Sequence, residues 1–158
     1  MTPAINAAKQ AGIRFTLHDY QHDPSSASYG LEAAEKLGIQ AARVFKTLVV
    51  TLNTGELAVG IVPVTSTLNM KQIAKALGAK KAAMAEAAAV QRSTGYVLGG
   101  VSPLGQKKGL KTVVDASAGD FSSIFVSAGR RGLDIELDPR DLVALTGGKL
   151  APIAQRKT

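Results

Sequence analysis

The chain has 158 residues, 46% of them hydrophobic, and this length predicts one domain, spanning residues 1–158, with a single core. It contains no cysteine, which excludes a disulfide scaffold, a thiolate nucleophile and a cysteine-ligated metal site. Nineteen Lys and Arg against 12 Asp and Glu leave a net charge of +7, which favours a polyanionic partner such as nucleic acid.

The first half of the chain is predicted to contain two helices and three strands. Thr2 followed by Pro3 is typical of a helix start, and Ser28 is a candidate cap for the second helix. Branched and apolar residues flank the turn-forming segment 53–55, which predicts a β-hairpin. The predicted elements are helices at 3–11 and 31–37 and strands at 13–19, 45–52 and 57–62.

The second half mixes helices and strands without strict alternation. The glycine-rich segment 95–109 is expected to be a structured loop, because five glycines and a proline do not suit a regular element. Asp138 and Pro139 repeat the helix-start pattern before a helix that ends at 147–148. The other predicted elements are helices at 70–77 and 84–91, strands at 112–115, 124–127 and 133–137, and a turn at 129–132. This order predicts the α/β class with a mixed sheet.

Targeting and membrane signals are not expected. The longest apolar stretch, 82–90, is interrupted by Glu86 and falls far short of the roughly 18 residues that a membrane span needs. The first residues lack a basic segment followed by an apolar one, so no signal peptide is predicted. A cytoplasmic protein without a membrane partner is therefore expected.

Residues 100–107 approach the spacing of a phosphate-binding loop. Gln106 stands where that motif requires lysine, and no Ser or Thr follows to bind Mg²⁺, so a nucleoside triphosphatase is not favoured. Closely spaced glycines such as Gly99 and Gly100 still allow backbone N–H groups to approach an anion or a carbonyl oxygen. The alternative is that these glycines only permit a turn.

Metal binding and nucleophilic catalysis have little support. His18 and His22 are the only histidines, and in an extended segment two residues four apart diverge by about 13 Å, so surface histidines are expected rather than a metal site. No histidine is close in sequence to Ser102 or Ser127, which disfavours a Ser-His-Asp triad. Neither a metal nor another cofactor is predicted.

Lys46 is unusual because it lies inside the apolar run 44–49. It is either an ordinary exposed strand lysine or a fixed cation in a pocket, where it could hold phosphate or face a developing oxyanion. The segment 126–134 places a hydroxyl, two guanidinium groups and a carboxylate around a glycine turn. This second cluster is either a solvated turn or part of a site.

Three blocks together carry a family resemblance: 45–49, 99–105 and 127–136. In these blocks the chain resembles the YbaK family of aminoacyl-tRNA deacylases, whose domain is homologous to the editing insertion of bacterial prolyl-tRNA synthetases. The resemblance implies a mixed, strongly curved sheet flanked by helices. Tyr29 departs from the phenylalanine expected there, and Ala128 replaces a more usual glycine.

The resemblance also implies a chemistry that needs no protein nucleophile. The thiol of a cysteinyl ester attacks the carbonyl of the same ester, and the cysteinyl group is released from the tRNA as a thiolactone. The substrate implied is the acceptor end of Cys-tRNA(Pro), and also of Cys-tRNA(Cys), and the partner implied is prolyl-tRNA synthetase. The implied catalytic set is Lys46, Gly100, Val101 and Asp134, with backbone donors near Gly100 or Val101 and Lys46 near the terminal phosphate or ribose. The implied substrate-binding set is Tyr20, Tyr29, Thr47, Gly99, Ser102, Pro103 and Ser127.

Recognition of tRNA is expected to depend on phosphate contacts, because seven scattered aromatic residues are too few for a base-stacking surface. The predicted tRNA-binding residues are Lys107, Lys108, Lys111, Arg130 and Arg131. Two alternatives stay open: a deacylase that uses water on another substrate such as Ala-tRNA, and a module that binds tRNA or the synthetase without reacting.

Overall fold

The computed structural model describes residues 1–26 and 28–156. Its helices are α1 (Pro3–Ala11), α2 (Tyr29–Leu37), α3 (Met70–Ala76), α4 (Ala87–Thr94) and α5 (Pro139–Thr146). As predicted, the Thr2 hydroxyl caps α1 by accepting a hydrogen bond from the Ile5 N–H, and the Ser28 hydroxyl caps α2 through Leu31. None of these helices in the described part of the chain is long and apolar enough to span a membrane.

The strands form three sheets. They are β1 (Phe15–Asp19), β2 (Phe45–Leu52), β3 (Leu57–Pro63), β4 (Ser66–Leu68), β5 (Ala82–Met84), β6 (Lys111–Asp115), β7 (Ile124–Arg130), β8 (Leu133–Leu137), β9 (Lys149–Ala151) and β10 (Ala154–Arg156). The largest sheet has the order β5-β2-β3-β6-β9; β2 runs antiparallel to β3, whereas β6 runs parallel to it. The others have the orders β1-β8-β7 and β10-β4. The predicted α/β class with a mixed sheet is confirmed.

The five-stranded sheet is covered on both faces. Val49 and Ile61 on one face pack with residues of α1, α4 and α5. Val50 and Val62 on the other face pack with Ile73 of α3. Because successive side chains of a strand point to opposite faces, β2 contributes to both cores, which explains its nearly continuous apolar sequence.

The two larger sheets meet where β2 begins. A parallel bridge joins Val44, just before β2, to Phe125 of β7. This junction brings the start of β2 close to the β7–β8 hairpin, whose pairing shifts register between Ser127 and Arg130. The fold therefore places the lysine-bearing strand beside the Ser127 to Asp134 turn.

The hairpin β2–β3 is confirmed, but the helix predicted at 84–91 is wrong at its start. Residues Ala82–Met84 form β5, which pairs with the end of β2, and the helix begins only at Ala87. Pairing with an existing strand satisfies the backbone of this segment, and that tertiary gain outweighs the helix propensity of alanine. The short strands β4, β9 and β10 were not predicted, since three-residue segments have no readable periodicity.

Candidate active site

A pocket of about 490 Å³ opens at the junction of the two larger sheets. Its walls come from the start of β2, the first turn of α2, the loop before β6 and the β7–β8 hairpin. Most of the predicted site residues line it: Tyr20, Tyr29, Lys46, Thr47, Gly99, Val101, Ser127, Arg130, Arg131 and Asp134. Five separate segments of the chain thus converge on one cavity.

Strand β2 supplies Lys46 and Thr47. Lys46 lies opposite Val62 of β3 and is only partly exposed, while the adjacent Phe45 is buried. The Thr47 hydroxyl is buried and has no hydrogen-bond partner within residues 1–26 and 28–156. Because a buried hydroxyl without a partner is costly, Thr47 is a candidate for bonding to a ligand.

Asp134 lies in the floor of the pocket with only 7% of its surface exposed. It stands in a row across three strands, opposite His18 of β1 on one side and Ser127 of β7 on the other. Burial raises the pKa of the Asp134 carboxyl to about 7, against the opposing influence of a charge on His18. A carboxyl group with this pKa can both release and accept a proton near neutral pH.

Tyr20 contacts the same floor from the end of β1. Its N–H donates to the carbonyl of Gly132 over 2.9 Å, which ties the segment to the β7–β8 turn. Burial raises the pKa of the Tyr20 phenol, and the nearby Asp134 charge raises it further. Tyr20 therefore stays protonated and can donate a hydrogen bond in the pocket.

Tyr29, Arg131 and Gly99 form one wall at the mouth. The Arg131 guanidinium carbon lies 3.4 Å from the centre of the Tyr29 ring, a stacked cation–π contact. Gly99 has φ of +91°, and a Cβ there would lie 2.6 Å from Tyr29 Cε2. Arg131 Nε and Nη2 are buried without a hydrogen-bond partner in the described residues. Glycine at 99 is what lets the loop approach the aromatic ring.

The loop between α4 and β6 contributes Val101 to the pocket, whereas Gly100 acts differently from what was expected. The Gly100 N–H donates to the carbonyl of Val97 over 3.0 Å, so this donor is engaged within the loop. A Cβ at Gly100 would lie 3.0 Å from Arg130 Cα, so this glycine allows the loop to pack on the β7–β8 hairpin. Of the two predicted backbone donors, Val101 remains the candidate.

Ser102 and Pro103 lie behind the wall and not among the residues that line the pocket. Ser102 is fully buried, and its hydroxyl accepts a hydrogen bond from the Leu104 N–H over 3.2 Å. The Tyr96 hydroxyl donates to the carbonyl of Leu104 over 2.6 Å and closes the same loop. These side chains hold the loop in shape.

The predicted tRNA-binding residues separate into two groups. Arg130 and Arg131 line the pocket, but Lys107, Lys108 and Lys111 line a different groove beside α4. Because these lysines are close in sequence to the glycine-rich loop, the sequence did not indicate that they line a different cavity from the two arginines.

The histidines are held by carboxylates. His18 Nε2 lies 2.9 Å from Glu136 Oε1, and His22 Nδ1 lies 2.8 Å from Glu32 Oε1. Both side chains are partly exposed, and the described residues contain no group of three or more His, Cys, Asp or Glu that could hold a metal ion. Although burial opposes it, hydrogen bonds from His22, Asp23 and Lys36 lower the pKa of Glu32 to about 2, which keeps the Glu32 carboxylate ionised.

Several residues that line the pocket were not predicted from the sequence. They are mostly small or apolar: Ser28, Gly30, Ala33, Val44, Phe45, Leu48, Val64 and Leu98. A Cβ at Gly30 would lie 2.0 Å from Val64 Cγ1, so α2 can pack on the end of β3 only with glycine at this position. The spacing of Gly30 and Ala33 on one face of α2 was the signal that could have revealed this wall.

Comparison with known proteins tests the family resemblance. The model of a family described as the aminoacyl-tRNA editing domain matches residues 24–145, which is well over half of the chain. The chain belongs to this family. The aminoacyl-tRNA editing domain family carries out deacylation, so the enzyme class predicted from the sequence, an aminoacyl-tRNA deacylase, is confirmed.

Relatives in sequence and in structure agree with this family assignment. The chain is 42% identical over 158 residues to "Putative Cys-tRNA(Pro)/Cys-tRNA(Cys) deacylase EbsC" of Enterococcus faecalis, covering 99% of this chain and 94% of that protein. The crystal structure of hypothetical protein APE2540 is 28% identical with a TM-score of 0.87, covering 98% of this chain and 100% of that one. A structure described as "a putative trans-editing enzyme for prolyl tRNA synthetase" has a TM-score of 0.82 at 22% identity, covering 98% of each chain, and supports the fold.

Proposed function

We propose that this protein removes cysteine from mischarged Cys-tRNA(Pro), and also from Cys-tRNA(Cys), using the thiol of the substrate as the nucleophile. The observation that carries the proposal is a single pocket that holds a lysine, a buried carboxyl group and a polar wall suited to a nucleotide. The 42% identity to EbsC, whose name states these two substrates, supports the choice of amino acid.

The proposed reaction balances without an added reagent. The cysteinyl sulfur attacks the carbonyl carbon of its own ester, and a C–S bond forms while the C–O bond to the terminal ribose breaks. The thiol proton ends on the departing ribose oxygen, so the products are uncharged tRNA and a four-membered thiolactone, which water then opens to cysteine. Holding sulfur and carbonyl in contact can supply much of the rate, because an oriented intramolecular attack avoids a large entropic cost.

Asp134 has the proton-handling role in this proposal. Its carboxyl group, with a pKa near 7, accepts the thiol proton as sulfur attacks and returns it to the ribose oxygen. Tyr20 and Ser127 lie beside Asp134 and orient the cysteinyl group. The Thr47 hydroxyl, which has no hydrogen-bond partner in the described part of the chain, is available to the ester or the ribose. The Val101 N–H is the proposed donor to the developing oxyanion.

Lys46 and the two arginines are proposed to hold the nucleotide end of the substrate. An ammonium group at Lys46 attracts the terminal phosphate and stabilises negative charge on the departing ribose oxygen. Arg130 and Arg131 add two guanidinium groups on the same side of the cavity. Because these contacts involve phosphates and not base edges, the isolated protein is proposed to cleave Cys-tRNA(Pro) and Cys-tRNA(Cys) at similar rates and to leave the choice of tRNA to prolyl-tRNA synthetase.

The decisive experiment compares substrates that do and do not carry a thiol. Cys-tRNA(Pro), Ser-tRNA and Ala-tRNA are incubated with the protein, and released tRNA is measured above the spontaneous rate. We expect cleavage of the cysteinyl ester alone, with a thiolactone that an added amine traps, and a loss of at least 100-fold in Lys46→Ala. Full activity of a folded Lys46→Ala variant would remove Lys46 from the mechanism, and an absence of any cleavage would leave a tRNA-binding module.

A second candidate is a deacylase that activates water. The raised pKa of Asp134 favours it, since a carboxyl group titrating near 7 is a suitable base for a water molecule. This mechanism requires cleavage of Ala-tRNA, which has no thiol, at a rate comparable with Cys-tRNA. The same substrate comparison therefore separates the two candidates.

A further inference from the structure

A second concave surface lies beside the candidate active site and is not used by the proposed chemistry. It is a groove of about 1200 Å³ between α4 and the start of β6. We call it the basic groove, because four of its lining residues are basic: Arg92, Lys107, Lys108 and Lys111. Two acidic residues, Glu56 and Glu86, also line it. Apolar residues, among them Leu57 and Met84, complete its lining.

Two of the lysines are fixed in place by the backbone. The Lys107 N–H donates to the carbonyl of Thr94 and the Lys108 N–H to the carbonyl of Ser93, each over 3.0 Å. These carbonyls belong to the last turn of α4, so the loop is attached to the helix end at consecutive residues. Both side chains are exposed. Fixed backbones and exposed ammonium groups make a charge pattern that needs little ordering when a polyanion binds.

Lys111 is positioned differently. Its Nζ lies 3.4 Å from Glu56 Oε1, an exposed ion pair across the groove. Exposed pairs of this kind contribute little stability, so Lys111 can exchange its carboxylate partner for a phosphate at small cost. Glu56 therefore competes with an incoming polyanion for the same lysine.

The groove and the pocket share two structural elements. Strand β2 places Thr47 in the pocket and Thr51 in the groove, on the same face of the sheet. Four strand residues correspond to about 13 Å, which is the length of about four nucleotides at the roughly 3.4 Å spacing along a helical strand. The loop before β6 borders both cavities, with Gly99 and Val101 on one and Lys107 on the other.

We propose that the basic groove binds the phosphodiester backbone of the acceptor stem, about four nucleotides from the 3′ end that occupies the pocket. This inference rests on the proposed function, which brings an RNA whose terminal adenosine lies at Lys46. The partner that fits is a polyanion of regular charge spacing, and its occupancy of two sites in register would hold the reactive ester at a fixed depth.

The test uses two substrates of different length. One is a cysteinylated acceptor-stem hairpin, which reaches the groove; the other is the cysteine ester of the dinucleotide CA, which is too short to reach it. The variant is K107E/K108E, and the matched control is K71E/K75E, which makes the same charge change on α3, over the opposite face of the sheet. We expect kcat/KM on the hairpin to fall at least 10-fold in K107E/K108E and to change less than 2-fold on the dinucleotide ester, with the control near wild type on both.

Binding of the uncharged hairpin gives a readout independent of catalysis. Fluorescence anisotropy at increasing salt should give a slope of log K against log salt that is about 1.8 smaller in magnitude in K107E/K108E, for two lost contacts at about 0.9 each on a duplex. Glu56→Gln should act in the opposite direction and bind the hairpin about threefold more tightly, because Lys111 loses its competing carboxylate.

The outcomes separate this inference from the proposed function. Equal loss on both substrates, or an equal loss in the K71E/K75E control, overturns the groove as a stem contact. A wild-type hairpin affinity and salt slope in K107E/K108E overturns it as well, and would assign the groove to an acidic protein partner instead. If no substrate is cleaved, the proposed function fails, and the anisotropy series alone then decides whether the groove binds RNA.

Discussion

Asp115 and Asp134 are equally buried, each with 7% of its surface exposed, but their environments differ. Asp115, at the end of β6, accepts hydrogen bonds from the backbone N–H groups of Ile153, Ala154 and Ser117 and from the Ser117 hydroxyl. Although burial opposes it, these donors lower the pKa of the Asp115 carboxyl. Asp115 is a structural anion that ties the end of β6 to the segment before β10.

At Asp134 the balance is reversed: burial raises the pKa of the carboxyl to about 7, and the influence that opposes burial is a charge on His18. It faces a cavity, whereas Asp115 faces backbone donors. The comparison shows that burial alone does not decide what a carboxyl group does. The backbone donors around Asp115 make that carboxylate structural, whereas Asp134, at a cavity and with a raised pKa, can exchange a proton with a ligand.

The largest expected effect is on the pH dependence of stability. Because the pKa of Asp134 is raised in the folded protein, the folded state favours its neutral form, and stability is lost as pH rises from the unfolded pKa near 4 to about 7. A difference of about three units corresponds to about 4 kcal/mol. Chemical denaturation between pH 4 and pH 8 should show this decline in wild type and not in Asp134→Asn. Parallel profiles would mean that Asp134 is ionised in the folded protein without penalty.

Asp115 should give the opposite behaviour. Since the pKa of Asp115 is lowered on folding, its stabilisation is present above pH 4 and is lost as pH falls further. Asp115→Asn removes the charge and turns an amide NH₂ toward existing donors, so we expect a loss of about 3 kcal/mol at pH 7. Activity per folded molecule should stay within twofold of wild type. Preserved stability in urea titrations would contradict the structural role.

Asp134→Asn should have the opposite effects to Asp115→Asn: it should lower activity and raise stability. An amide cannot accept the thiol proton, so kcat on Cys-tRNA should fall about 100-fold at pH 7.5. The free energy of unfolding at the same pH should rise, because a buried charge has been removed. Together with Asp115→Asn, this makes a pair of identical substitutions at equal burial. If both variants lost stability and kept activity, the distinction between the two carboxyl groups would be wrong.

Gly99→Ala tests the wall of the pocket. The new Cβ would lie 2.6 Å from Tyr29 Cε2 at a φ of +91°, so the Tyr29 ring must move away from Arg131. We expect kcat/KM to fall about 10-fold, with a stability loss of about 1 to 2 kcal/mol from the left-handed backbone. Gly147→Ala is the control, since it has φ of +63° and nothing within 4 Å. An equal loss of activity in the control would assign the effect to stability alone.

The smallest effect is expected for Tyr29→Phe. Phenylalanine keeps the ring that stacks on the Arg131 guanidinium, so kcat/KM should stay within about threefold of wild type. Tyr29→Leu removes the aromatic face and should cost about 10-fold. A large loss in Tyr29→Phe would instead show that the hydroxyl contacts the substrate.

The local elements of this protein could be predicted because adjacent residues determine them. The Thr2 and Ser28 caps, the β2–β3 hairpin and the helix start at Asp138 and Pro139 all appear where the sequence indicated. These features depend on hydrogen bonds and backbone angles within a few residues of each other. The strand at Ala82–Met84 was missed because its only advantage over a helix is a distant partner, β2.

The sequence by itself determined the residue types of the site, including Lys46, Asp134 and the glycines around Gly99, and it excluded a cysteine of the protein as nucleophile or metal ligand. Only the tertiary structure decided that Lys46, Tyr20 and Asp134 share one cavity, that the Gly100 N–H is engaged, and that Lys107 and Lys108 face a separate groove. The physical reason is that proximity, burial and ionisation depend on contacts between segments far apart in the chain. The residue type at each position is known from the sequence, but the surroundings of a charged group depend on the fold.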